Sequence, residues 1–171
     1  MNETLKSIMS RRSIRRFTDQ PVSEETMRLV LAAGMAAPSA HRGFPVRFVV
    51  LDKARMTELA ERVQQKEPFQ QGQWAIAVLG ETRGYTLGSA WMEDCAAAME
   101  NMQIACRGLG LGSLWYGLYR RTPKEAQVRE FLQLPEGLEI LGITVMGYAE
   151  QELPPHEGID ESKVRWGSWS E

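Results

Sequence analysis

The sequence has few of the residues that would commit it to a metal site, a disulfide framework or a membrane. It holds two cysteines and two histidines among 171 residues. No apolar run approaches the ~20 residues that a membrane helix needs. If Cys95 and Cys106 share one helix they lie about 16 Å apart, too far for a disulfide. Neither has a metal-ligand spacing with a histidine, so both are predicted to be buried apolar side chains, and no metal is expected.

An excess of basic charge is also lacking. Lysine and arginine number 20 against 22 acidic residues, a net charge of −2, so neither nucleic acid nor an anionic membrane is an expected partner. The first nine residues lack the apolar core of a signal peptide, and a cytoplasmic location is expected. The length predicts one domain over residues 1–171, with 149–171 as an extended C-terminal tail.

What the sequence does contain is a cluster of four arginines and one serine within residues 11–17. Guanidinium groups offer planar forks of donors that suit phosphate oxygens, and a serine adds a short donor. A second interpretation is that these arginines complement the dipole at the end of a helix and lie in solvent. A third, a nucleic-acid patch, is disfavoured by the slightly acidic chain.

Hydrophobic periodicity predicts alternating helices and strands, and so a mixed α and β protein. Helices are expected over about 3–12, 23–35, 53–63, 87–109 and 123–132, and strands over 46–51, 74–79, 112–119 and 140–148. Ser23, Asp52 and Thr122 are predicted N-caps. The fourth helix is apolar on more than one side, which is typical of a central or interface helix. Trp166 and Trp169 suggest that the tail clamps a surface, its own or a partner's.

Four stretches, in order along nearly the whole chain, resemble the motifs of the nitroreductase family of flavoenzymes. They are residues 11–17 (RRSIRRF), 37–41 (APSAH), 110–117 (GLGSLWYG) and 147–150 (GYAE) with 160–164 (DESKV). The resemblance implies a nitroreductase-like α+β fold, with a central, mostly antiparallel sheet flanked by helices. It also implies an intertwined homodimer in which both subunits build each flavin site.

The resemblance also implies which residues bind FMN. The first motif would hold the phosphate and the ribityl chain, the second would lie along the flavin ring, and the third would lie on its other side with backbone donors near N5. Carried over residue by residue, these roles fall to Arg11, Arg12, Ser13 and Arg15, to Pro38, Ser39 and Ala40, and to Leu114, Trp115 and Gly117. No catalytic side chain is implied, because the cofactor carries the chemistry.

The sequence departs from the family in two places. The Asn and Gln that often follow the second motif are replaced by Arg42 and Phe44. Arg42 either stabilises negative charge on the reduced flavin or is a solvated loop arginine. The Lys-x-Arg pair expected after the prolines is also missing, and Lys163 and Arg165 are its nearest substitutes.

The function implied is that of an FMN-dependent oxidoreductase with a ping-pong mechanism. NAD(P)H would reduce the flavin and leave, and a flat acceptor such as a nitroaromatic or a quinone would take its place. The dinucleotide-binding motif Gly-x-Gly-x-x-Gly does not follow the first strand, so the nicotinamide cofactor would bind only transiently. The alternative is a flavin-binding carrier or sensor without reductase turnover.

Overall fold

The computed structural model describes residues 1–64, 67–118 and 120–169. Within these residues there are five α-helices, four β-strands and two short 3-10 helices. The helices are α1 (Glu3–Ser10), α2 (Glu24–Met35), α3 (Lys53–Arg62), α4 (Ala90–Gly108) and α5 (Pro123–Phe131), and the strands are β1 (Val46–Leu51), β2 (Trp74–Glu81), β3 (Gly112–Gly117) and β4 (Leu138–Gly147). In these ranges, no helix has the length and apolar character needed to cross a membrane.

The four strands form one sheet in the order β1-β2-β4-β3, and every neighbouring pair is antiparallel. Helices α3 and α5 pack with one core, and α2 and α4 contribute to the core on the other side of the sheet. Strand β4 is central, and Ile143 and Met146 belong to opposite cores. Its apolar run predicts this burial on both faces, and the predicted α+β class with an antiparallel sheet is confirmed.

The predicted N-caps are confirmed. The side-chain oxygens of Ser23, Asp52 and Thr122 accept backbone N–H groups at 3.1, 2.9 and 3.3 Å. The prediction for the first helix is wrong at its end, because α1 stops at Ser10 and Arg11 is already extended, with ψ 130°. The chain leaves the helix there because the following residues attach to the edge of the sheet.

Both cysteines are buried in α4, as predicted. Burial raises the pKa of the Cys95 thiol and of the Cys106 thiol to about 12, because a thiolate is poorly solvated inside the protein. Only the thiolate is nucleophilic. We therefore expect neither thiol to react with a disulfide reagent at pH 7 in the folded protein, and both to react in denaturant. Rapid labelling of either cysteine without unfolding would contradict this.

The first part of the C-terminal tail packs on its own chain. The N–H of Glu150 donates to the carbonyl of Arg16 at 3.1 Å, and the N–H of His156 donates to Met9 at 2.9 Å. Further on, the side chains of Trp166 and Trp169 are 89% and 73% exposed. Beyond His156, therefore, the two tryptophans do not clamp the surface of their own chain.

Candidate functional site

The arginine-rich segment lies as an extended strap along the end of the sheet. The N–H of Ile14 donates to the carbonyl of Ser113 on β3 at 2.9 Å, and that of Thr18 donates to Tyr148 beyond β4 at 2.9 Å. Ile14 and Phe17 are buried, and each packs over a glycine of the sheet, Gly112 and Gly147 respectively. The apolar residues of the strap thus anchor it and leave its arginines beside β3.

Arginines surround a cavity of about 240 Å³ at the N-terminal end of β3. Three guanidinium groups and one carboxylate line it, so its charge is positive. The lining includes Arg11, Arg12, Arg107, Gly112, Ser113, Gln151 and Glu152. This surrounding suits an anionic group with several acceptor oxygens.

Each of these arginines is held by a neighbour. Arg11 pairs through Nε with the carboxylate of Glu100 at 3.0 Å and donates through Nη1 to Gln103 Oε1 at 3.3 Å. Arg12 Nη1 donates to the carbonyl of Pro154, and Arg107 Nε donates to Ser10 Oγ at 2.8 Å. A guanidinium has five N–H donors, so these contacts fix its position and still leave donors for a ligand.

Gln103 is a buried polar residue that sequence reasoning missed. It is 1% exposed, and its Nε2 has no hydrogen-bond partner in the described part of the chain. Its Oε1 must face Arg11, because the reverse orientation would set two donors against each other. The available signal was its spacing: Gln103 follows Met99 by four residues and precedes Cys106 by three, which puts a polar residue on the apolar side of α4.

A second cavity, of about 370 Å³, is lined by the next residues of the same strand. Its lining consists of Arg15, Glu67, Pro68, Leu114, Trp115, Tyr116 and Gly117. The first cavity is lined by β3 up to Ser113, and the second from Leu114 onward. The two cavities are therefore neighbours along β3, one with arginines and the other with aromatic and aliphatic surfaces.

Strand β3 also presents backbone groups to this second cavity. The carbonyl of Ser113 accepts from the strap on the outer edge of β3, the edge opposite β4. Because backbone polar groups alternate in direction along a strand, those of Trp115 and Gly117 face the same outer edge. Within the described residues, no strand pairs with that edge beyond Ser113.

The second motif lies elsewhere. Pro38 and Ser39 line an apolar cavity of about 410 Å³ with residues of α2 and β1. Strands β1 and β3 form opposite edges of the sheet, three strand spacings or about 14 Å apart. The chain thus brings the first and third motifs together and holds the second motif apart from both.

The loop of the second motif has an unusual backbone. His41, Arg42 and Phe44 have φ of 48°, 58° and 44°, values that cost non-glycine residues about 1–3 kcal/mol each. All three side chains are exposed, and within the described chain Arg42 makes no side-chain hydrogen bond. In the single chain, then, Arg42 is a solvent-exposed arginine.

A buried carboxylate that the sequence did not single out fastens this loop. Asp94 on α4 is 5% exposed and accepts hydrogen bonds from Ser39 Oγ, from the N–H of Ala40 and from the Tyr85 hydroxyl, at 2.7, 2.9 and 3.2 Å. Burial, followed by the hydrogen bond to Asp94, raises the pKa of Tyr85, so its hydroxyl remains a donor at neutral pH. In the sequence, an acidic residue near the start of a helix is already explained by its favourable interaction with the helix dipole, so nothing singled out Asp94.

The substitutes for the missing Lys-x-Arg pair have partners in the tail. Lys163 pairs with Asp160 at 2.9 Å, and the Arg165 guanidinium lies 5.0 Å from the centre of the Trp169 ring. Neither residue lines the arginine cavity. The cavity is instead completed by Arg107, from the end of α4.

A cavity lined by arginines next to one lined by aromatic and aliphatic side chains suits a flat organic ligand that carries an anionic group. The model of the Nitroreductase family matches this chain over residues 8–90 and 82–148. The chain belongs to the nitroreductase family. The prediction from the motifs is confirmed, and with it the predicted enzyme class, an oxidoreductase of the nitroreductase type.

Individual relatives agree with this assignment. An Archaeoglobus fulgidus protein, named as a candidate NADH dehydrogenase/NAD(P)H nitroreductase, is 34% identical over 165 residues, which are 94% of this chain and 93% of its own. A crystal structure of a similarly named protein from Parabacteroides distasonis has a TM-score of 0.88 at 30% identity and covers 99% of this chain and 100% of its own. A candidate nitroreductase of Desulfovibrio desulfuricans, solved in complex with FMN, has a TM-score of 0.81 at 27% identity, with 96% of each chain covered.

Proposed function

We propose that this protein is an FMN-dependent oxidoreductase that takes electrons from NAD(P)H and passes them to flat acceptors such as nitroaromatics or quinones. The observation that carries the proposal is the pair of cavities along β3. One offers arginines to a phosphate, and the next offers flat apolar surfaces and an open backbone edge to a ring. A relative at 27% identity is solved with FMN.

The residues present fit FMN. Arg11, Arg12 and Arg107 would hold the phosphate, because each of these guanidiniums keeps N–H donors that its present partners do not use and that suit phosphate oxygens. The buried Gln103 does not line the cavity, but its Oε1 accepts from Arg11 Nη1 and so helps to hold that guanidinium in place. Ser13 pairs with Ser113 of β3 and lines neither cavity, so it would act on the phosphate only through the position of the strap.

The ring would lie in the second cavity. Leu114 and Trp115 supply surfaces for it, and Arg15 supplies a positive charge at the rim. The backbone groups of Trp115 and Gly117 point to the open edge of β3, where they can hydrogen-bond the ring's polar atoms. FMN, when bound, supplies the two-electron redox chemistry, and the protein supplies position, charge and access.

A second copy of the chain would complete the site. Within one chain Pro38 and Ser39 line a cavity with α2 and β1, at the edge of the sheet opposite β3, and therefore do not lie beside Leu114 and Trp115. In a homodimer the partner's loop can lie there. The exposed Trp166 and Trp169 also suit burial against a partner.

Sedimentation of the protein should give the mass of two chains, because the flavin site needs both. A monomer that binds FMN with full affinity would contradict this.

The experiment that separates an enzyme from a flavin carrier is anaerobic titration. The purified protein, saturated with FMN, should lose its flavin absorbance on addition of NADPH or NADH and regain it with a quinone. Initial rates at several fixed quinone concentrations should give the parallel double-reciprocal lines of a ping-pong mechanism. Flavin that is bound but not bleached would favour a carrier or sensor, and failure to take up FMN would overturn both.

A further inference from the structure

The carboxylate of Asp94 contacts the second motif at more than one point. Its Oδ2 accepts from Ser39 Oγ at 2.7 Å and from the Tyr85 hydroxyl at 3.2 Å, and its Oδ1 accepts from the N–H of Ala40 at 2.9 Å. All three partners are donors, which suits an acceptor with two oxygens. The arrangement is nearly removed from water, since Asp94 is 5% exposed.

The contact extends through Ser39 to the far end of the loop. Ser39 Oγ donates to Asp94 and accepts from the N–H of Phe44 at 2.8 Å. One carboxylate therefore holds residues 39 and 40 directly and residue 44 through Ser39, at the two ends of the loop that contains the positive φ angles. The other hydrogen bonds of this stretch are local: the N–H of Arg42 donates to Ser39, that of Gly43 donates to Ala40, and Arg47 Nη1 donates to the carbonyl of Phe44 at 2.9 Å.

We propose that Asp94 is a positioning residue of the flavin site, holding Pro38, Ser39 and Ala40 in the conformation in which they cover the ring. The inference rests on the proposed function for its purpose, but the attachment of the loop to α4 can be tested without flavin. A loop of exposed residues with a strained backbone would otherwise open into other conformations. In a dimer, each Asp94 would act on the ring bound by the other chain.

The first test uses the flavin-free protein and trypsin, which cuts after arginine. Cleavage between Arg42 and Gly43 requires the loop to open, so Asp94→Asn should increase its rate about tenfold. Glu93→Gln is the matched control, since it removes the same charge from an exposed neighbour that, within the described chain, makes no hydrogen bond or ion pair with the loop. An unchanged rate for Asp94→Asn, or an equal increase for Glu93→Gln, would overturn the inference.

The second test is a double-mutant cycle on FMN affinity, measured by fluorescence titration. Asp94→Asn and Ser39→Ala should each raise the Kd about tenfold, and the double variant should be no weaker than the weaker single variant, because the two residues act as one unit. Effects of the two substitutions on the Kd that multiply in the double variant would overturn the inference.

Ser39→Ala leaves α4 untouched, so the trypsin test can be made with this variant if Asp94→Asn does not fold. If the wild-type protein does not bind FMN, the proposed function fails, and the trypsin test still decides whether Asp94 holds the loop.

Discussion

Replacement of Arg15 by alanine is expected to raise the Kd for FMN by about 10- to 100-fold, the loss of one charge-assisted hydrogen bond of about 1.5–3 kcal/mol. Arg15 lines the cavity of Leu114 and Trp115, and its only side-chain hydrogen bond in the described structure is a 3.4 Å contact with the carbonyl of Ser13. Its removal should therefore leave the free energy of unfolding of the flavin-free protein unchanged. Fluorescence titration and urea unfolding measure the two quantities separately.

Arg16→Ala is the matched control for this variant. Arg16 is the next residue in the strap, is similarly exposed, and pairs with Glu150 at 3.9 Å without lining either cavity. The Arg16→Ala variant should have the same Kd for FMN as the wild type. Equal losses in both variants would mean that the arginines act only through overall charge, and no loss in either would mean that Arg15 does not contact FMN.

Replacement of Gly112 by alanine is expected to destabilise the protein and the site together. A Cβ at this position would lie 2.9 Å from the Cβ, Cγ1 and Cγ2 atoms of Ile14. These atoms belong to the base of a branched side chain that anchors the strap, so the strap must shift. Overpacking of this kind costs about 1–3 kcal/mol. Because Arg12 and Ser13 precede Ile14, the FMN affinity should fall as well.

Gly108→Ala is the control for that experiment. Gly108 is at the end of α4, has no positive φ, and an added Cβ would meet only Ser7 Oγ at 3.5 Å, an ordinary contact. Alanine favours a helix over glycine, so stability should be unchanged or slightly higher. Urea unfolding of the two flavin-free variants compares their free energies of unfolding, and FMN titration compares their Kd values. A Gly112→Ala protein with wild-type stability and affinity would show that the strap does not depend on this close contact.

The elements of this protein were largely predictable, because the signals for them are local. Ser23, Asp52 and Thr122 precede their helices, and each side chain accepts the expected N–H group. The apolar run of β4 indicated burial on both faces. The end of α1 was not predictable in this way, since Arg11 leaves the helix for a sheet edge built by residues about 100 positions later.

The sequence alone determined the family, because four motifs in a fixed order are a property of the chain and need no coordinates. It also predicted that arginines and flat apolar residues serve one site. Only the tertiary structure decided how they are divided: the strap and β3 share two adjoining cavities, while the loop of Pro38 lies at the opposite edge of the sheet. It also showed Asp94 beneath that loop and Gln103 beside Arg11. The physical reason is that strand order and burial arise from packing between segments that are distant in the sequence, and local propensity does not determine either of them.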